Sequence, residues 1–139
     1  MFVGDLKELE RELKVADSAK RDVLLKEVES DDIELAQSMR IKYVNIEDLV
    51  YLDSREYLGI LQGIDVFDLG MALRMGSKAL KHHIVTNSPG AAKVDIESII
   101  NGPPQERVNV LAAIDRILKV VRNKLEKGEI SIDPNDELV

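Results

Sequence analysis

The sequence predicts an all-α fold in two helical parts joined by a short extended stretch, and three observations predict it. Apolar residues recur three and four positions apart along most of the chain, which is the period of one helix face. Cap-type residues open these runs, and glycines close several of them. The β-branched stretch Ile41 to Ile46 interrupts them with a strand-like local preference.

Taken in order, Asp5 to Ala16 places Leu6, Leu9 and Leu13 on one face, with Lys7, Glu8, Glu10, Arg11, Glu12 and Lys14 around the rest. That is an amphipathic helix with a solvated charged side. Asp17 and Ser18 cap a second helix carrying Val23, Leu24 and Val28. Asp31, with Glu34 at the capping-box spacing, opens a third that carries Ile33, Leu35, Ala36 and Met39. Three short helices in about forty residues read as the end of a helical repeat. Ile41 to Ile46 is the expected joint.

Beyond the joint, Ile46 to Leu52 supplies a short helix, and Asp53 with Glu56 opens another that Gly63 ends. Asp65 to Met75 is apolar on most of its circumference, so it is expected at the centre of a core. Gly70 within it costs about 1 kcal/mol relative to Ala, which implies either a close backbone approach or a later helix start. Gly76 and Ser77 lead into a helix ending near Asn87, and Ser88 as cap with Pro89 at the first helical position announces the next. After the break at Gly102, Pro103 and Pro104, the last helix runs from Gln105 to about Lys127. Its expected buried stripe is Leu111, Ile114, Leu118, Val121 and Leu125, with cations crowding its carboxyl end and Gly128 as the stop.

A chain of 139 residues has room for one domain or two small helical ones. With 45% hydrophobic and 32% charged residues it has the composition of a folded protein rather than a disordered one. The absence of Cys excludes disulfides, thiolate metal sites and cysteine nucleophiles, and suits a reducing cytosol. A formal charge of −7 argues against nucleic acid as a partner, since neutralising phosphates needs a basic face. No apolar run approaches the ~20 residues that span a bilayer, so no direct membrane insertion is expected.

No catalytic constellation emerges. His82 and His83 are adjacent and therefore point about 100° apart on a helix, which reads as structural rather than chelating. Asp95 and Glu97, two apart, face away from each other, and neither a phosphate loop nor a dinucleotide fingerprint occurs. No enzyme activity, cofactor or metal is expected.

The chain is organised around Val44 to Leu80. There DDIELAQSM is followed by VNIEDLVYLDSRE, then by DVFDLGMALRMGS, and further on come GPPQERV and LEKGEISI. These blocks, in this order, resemble the carboxyl-terminal region of the bacterial flagellar motor switch protein family of the FliG type. The resemblance implies that residues 1–41 are the end of an armadillo-like helical repeat and 42–46 a hinge. It also implies that 47–132 are a compact six-helix torque-type subdomain, with 133–139 an acidic tail.

It further implies a charged ridge facing the cytoplasmic loop of the stator's membrane protein, placed on Arg74, Asp95, Glu97 and Arg107, with a hinge at Tyr43, Val44, Asn45 and Ile46. Other rotor subunits and switch-complex proteins would be partners, the protein would be a homo-oligomer in the motor, and its place would be the cytoplasmic face of the flagellar basal body. The sequence departs from the family at Gly90 and Gln105, where the ridge would carry cations, and at the hinge, where Tyr43 to Ile46 lacks paired Phe. The alternatives are a non-motile helical scaffold with another partner, and, for Arg74 and Glu97, merely solvated helix charges. The chain is too short for the family's amino-terminal and middle domains, so it is either a shortened paralogue or a piece of a longer protein.

Overall fold

The computed structural model describes residues 4–132, in which eight α-helices and one 3₁₀ helix follow one another without a strand. The expected acidic tail at 133–139 lies outside the described residues. The described chain divides into two compact units, 4–45 and 46–132.

The first unit holds α1 (Leu6–Val15), α2 (Ser18–Asp31) and α3 (Ile33–Lys42). Asp5 and Asp17 cap α1 and α2 through their carboxylates, as their positions before the apolar runs dictate. Leu9, Leu13, Leu25, Val28, Ala36 and Met39 form its core, with Leu24, Leu35 and Tyr43 against them. Leu6 and Val23, expected inside, are largely exposed. The cap of α3 is Asp32, not Asp31. Asp31 is still the last residue of α2, because Asp32 N–H closes onto Val28 O at 2.7 Å and the chain leaves the helix only at Asp32.

Two buried charges complete this unit. Arg21 donates to the Tyr43 carbonyl at 3.0 Å, and Arg40 joins Asp22 at 3.3 Å and Glu29 at 2.9 Å, so α3 is fastened to α2. The expected extended stretch is much shorter than six residues: Ile41 and Lys42 end α3, and Ile46 already begins the 3₁₀ helix. Helix hydrogen bonds such as Tyr43 N–H to Met39 O at 3.0 Å outweigh the few tenths of a kcal/mol that β-branching costs.

The second unit runs from the 3₁₀ helix Ile46–Tyr51 through α4 (Ser54–Leu61), α5 (Val66–Leu73), α6 (Lys78–Asn87), α7 (Gly90–Ile100) and α8 (Arg107–Glu126). At its centre lies α5, in which Leu69 to Leu73 are buried in unbroken succession while α7 and α8 cover it. A helix buried on this much of its circumference can tolerate glycine where a neighbour comes close. A Cβ on Gly70 would stand 2.6 Å from Ile99 Cβ, so the close neighbour is a side chain on α7 rather than backbone.

The last helix buries Val110, Ala113, Ile117, Leu118 and Val121, while Leu111 is exposed. The expected stripe is therefore rotated by about one residue. Both sets satisfy three-four spacing, and the position of α5 selects between them. Gly128, at φ +71, ends α8 as expected. Ser88 does not cap α7: its hydroxyl donates to Ile84 O at 2.6 Å, and Pro89 takes the cap position without a side-chain bond.

Polar side chains tie the periphery to this core. Glu47 accepts from both Ser77 N–H, at 2.6 Å, and Ser77 Oγ, at 2.8 Å, so the 3₁₀ helix is fixed to the start of α6. Glu56 completes the capping box of α4 with one carboxylate oxygen and accepts Ser131 N–H with the other at 2.9 Å. Arg116 on α8 grips Asp68 on α5 with two bonds of 2.9 and 2.8 Å, and this raises the Arg116 pKa. Fully buried Tyr57 donates to Ser88 Oγ at 2.7 Å, the serine hydrogen being committed to Ile84 O.

Gly70→Ala is expected to destabilise the protein by about 1–3 kcal/mol, the overpacking cost exceeding the gain in helix propensity. Gly59→Ala in α4, where an added Cβ meets nothing within 4 Å, is expected to stabilise by about 0.5–1 kcal/mol. Urea unfolding of the pair separates crowding from propensity. Burial pushes the Tyr57 phenol above its ordinary 10.0, with the Ser88 bond opposing. The neutral phenol thus contributes stability that is complete below that value and lost as pH rises through the folded-state pKa. Melting temperatures measured from pH 9 to 11 should fall more steeply in the wild type than in Tyr57→Phe.

Candidate interaction surface

The ridge residues of the sequence reading come from three helices. Arg74 is the C-cap of α5, Asp95 and Glu97 lie on α7, and Arg107 begins α8. Their surroundings differ. Asp95 and Arg107 are exposed, whereas Arg74 and Glu97 are half-buried.

Arg74 reaches across to α7. Its Nε and Nη2 donate to the Ile99 carbonyl at 3.1 and 2.6 Å. A cation at the last carbonyls of a helix satisfies an otherwise orphaned acceptor and opposes the negative end of the helix dipole. This guanidinium therefore works as a strut between α5 and α7. The neighbouring Gly102 leaves room for it: a Cβ there would lie 3.2 Å from Nη2. Arg74's remaining edge, carrying Nη1, makes no hydrogen bond among the described residues.

Asp95 and Glu97 straddle buried Ile96, one on each flank of α7, so the structure does not bring them together as a pair. No hydrogen bond or ion pair joins Arg74, Asp95, Glu97 and Arg107 to one another among the described residues. Val94, between Lys93 and Asp95, is 67% exposed, and Val108 beside Arg107 is 64% exposed. The surface thus mixes single charges with single aliphatic side chains.

At the hinge positions, Tyr43 is held to the first unit by Arg21 and by packing on its core, Val44 and Ile46 are buried, and Asn45 is half-buried. The division into two units falls between Asn45 and Ile46. His83 Nε2 lies 2.8 Å from Leu52 O, a structural hydrogen bond, and no group of three or more potential metal ligands occurs among the described residues. Nor is any helix among them long and apolar enough to cross a membrane.

The family model of the FliG C-terminal domain matches residues 26–132, most of the chain. The chain belongs to the FliG C-terminal domain family. Among its curated relatives, the flagellar motor switch protein FliG of Borreliella burgdorferi is 29% identical over 126 residues, covering 90% of this chain and 37% of the relative. The FliG of Thermotoga maritima is 33% identical over 100 residues, covering 71% of this chain and 30% of the relative. The chain therefore spans about a third of the length of these relatives.

A crystal structure of FliG residues 116–343 from H. pylori matches with a TM-score of 0.65 at 26% identity, over 94% of this chain and 58% of that one. The fold of full-length FliG from Aquifex aeolicus also matches, with a TM-score of 0.58 at 24% identity over 88% of this chain and 38% of that one. Family membership and the all-α fold expected from the sequence are thereby established.

Within the family fold, several residues of the EDLVYLDSRE block prove to be supports. Glu47 holds Ser77, Leu49 and Leu52 are buried, and Asp53 and Glu56 cap α4. Sequence reading missed the Asp68–Arg116 grip, because two residues 48 positions apart leave no periodic signal. It also missed an acidic groove between α1 and α2, although Asp5, Glu8 and Glu12 stand at helical spacing.

Arg74→Ala is expected to cost about 1–2 kcal/mol, a charged hydrogen bond discounted for partial exposure. Asp95→Ala and Arg107→Ala should stay within about 0.5 kcal/mol of wild type. Guanidinium unfolding of the three variants distinguishes the strut from the solvated charges.

Proposed function

We propose that this chain is a rotor-side component of the flagellar motor that works by protein contact rather than by catalysis. The observation that carries this reading is the family match across residues 26–132. The reading places it at the cytoplasmic face of the basal body, with the stator's cytoplasmic loop, neighbouring rotor subunits and switch-complex proteins as partners.

In this reading the second unit is the torque-type subdomain, and the ridge charges act from α7, α8 and the end of α5. Asp95 and Arg107 support it, being exposed and outside any ion pair among the described residues. Glu97 contributes from a half-buried position, and Arg74 offers its free edge while bracing α7. The first unit, with its armadillo-like helices, stacks against other subunits, and Tyr43 to Ile46 is the hinge. Such rim charges act through steering and specificity more than through raw affinity.

A second reading, a non-motile scaffold that keeps the fold but binds another protein, is favoured by Gly90 and Gln105, uncharged where the resemblance calls for cations. The two readings separate in a single set of measurements. Asp95→Lys and Arg107→Glu, singly and together, are expected to weaken binding of a charged stator-loop peptide by roughly tenfold at low salt and to impair swimming. Unchanged binding and motility would reject the ridge, and no binding by the wild type would favour the scaffold.

A further inference from the structure

Asparagine has a reaction open to it that needs no enzyme. The backbone nitrogen of the next residue attacks the side-chain carbon Cγ, ammonia leaves, and water opens the resulting succinimide to aspartate or isoaspartate. Access to the attacking nitrogen governs the rate, and a following glycine, with no Cβ, hinders it least. Of the asparagines in this chain, Asn101 alone precedes a glycine.

The fold widens that difference. Asn87, before Ser88, is the nearest rival by the size of its follower, and its side chain is held at both ends. Its Nδ2 donates to His83 O at 2.8 Å, and its Oδ1 accepts from Ser54 Oγ at 2.6 Å. Asn109 and Asn123 lie within α8, where the amides that follow them are fixed in the helix. Asn101 is exposed, and its side chain makes no hydrogen bond among the described residues. It is the C-cap of α7, with φ −93 and ψ 5, in the sparsely populated region between helix and strand.

The attacking group is weakly held as well. To reach Cγ, the Gly102 nitrogen must swing about ψ of Asn101, and the bond that resists is Gly102 N–H to Ile99 O at 3.3 Å, longer than most such bonds. The Ile99 carbonyl is already engaged: Arg74 Nε and Nη2 donate to it at 3.1 and 2.6 Å, and a carbonyl oxygen has two lone pairs. The same guanidinium lies against Gly102, its Nη2 standing 3.2 Å from the place a Cβ would occupy. A cation favours the anionic form of a neighbouring group, here the deprotonated Gly102 amide that attacks.

We propose that Asn101 is a site of non-enzymatic deamidation and that Arg74 promotes it. In the first step the bond from Gly102 N to Asn101 Cγ forms and the Cγ–Nδ2 bond breaks. The departing NH2 leaves as ammonia, taking up the proton lost from Gly102 N. Water then adds to one succinimide carbonyl and leaves a carboxylate, and nothing is oxidised or reduced. Hydrolysis at Cγ gives aspartate, and hydrolysis at the backbone carbonyl gives isoaspartate, whose main chain carries one extra methylene. Either product adds a negative charge to the carboxyl end of α7, beside the strut that joins it to α5, and the charge accumulates with the age of the chain. The chemistry asks for no partner, so it holds under either reading of the function.

The experiment incubates the full chain at mildly alkaline pH, samples it over days and digests each sample with trypsin. Cleavage after Lys93 and Arg107 releases residues 94–107, in which Asn101 is the one asparagine. That peptide is expected to gain the mass of exchanging NH2 for OH and to split into aspartyl and isoaspartyl forms, roughly tenfold faster than residues 82–93, which carry Asn87. No change in 94–107, or an earlier one in 82–93, overturns the site. The second measurement repeats the series with Arg74→Ala. In the folded chain this variant is expected to slow the reaction at Asn101 several-fold, whereas in denaturing urea variant and wild type should react alike. An unchanged or faster rate in the folded variant, or a difference that persists in urea, overturns the role of Arg74.

Discussion

The second unit depends on one close approach, that of α5 to α7 at Ile99. Gly70 admits the Ile99 side chain, and Arg74, one helical turn later on the same face of α5, binds the Ile99 carbonyl. One residue of α7 is thus fixed by its side chain and its backbone at once. An eight-residue helix such as α5 has little stability of its own in water, so it exists because α7 and α8 enclose it. Whatever loosens Ile99 also exposes the continuous apolar run from Leu69 to Leu73.

This arrangement changes what a surface charge means here. Arg74 looks like a free cation in a linear reading, yet its hydrogen bonds are spent on a helix end. Glu47, Glu56 and Asp68 are likewise spent on Ser77, Ser131 and Arg116. Once these supports are set aside, the expected ridge keeps Asp95 and Arg107 as its exposed charges outside any ion pair among the described residues. Structural support thus falls on residues that a linear reading counts as free surface charges, Arg74 first among them.

Much of the architecture was legible in the sequence because its signals are local. Asp17, Asp53 with Glu56, Ser77 and Gly128 punctuate the helices where cap chemistry expects them, and the unusual apolarity of Asp65 to Met75 announced a central helix. The failures arose where local rules are degenerate. Asp31 and Asp32 are equally good caps, and only the continuation of α2 decides between them. Two overlapping stripes on α8 have the same spacing, and only the place of α5 chooses. Ser88 could cap forwards or bond backwards, and the buried Tyr57 hydroxyl beside it favours the latter. For the site, the sequence could name Arg74 but could not show it reaching a carbonyl 25 positions away.

Glu56 carries a consequence of another kind. Its carboxylate joins the first α-helix of the second unit to Ser131, a partner 75 positions later. A link of that sequence separation has to wait until α8 has docked, because the entropy of closing so long a loop is lost before any contact compensates for it. The capping box of α4, by contrast, forms within a few residues. The same side chain thus takes part in an early local event and in a late global one. It acts as a latch, through which the end of the unit locks onto its beginning as folding finishes.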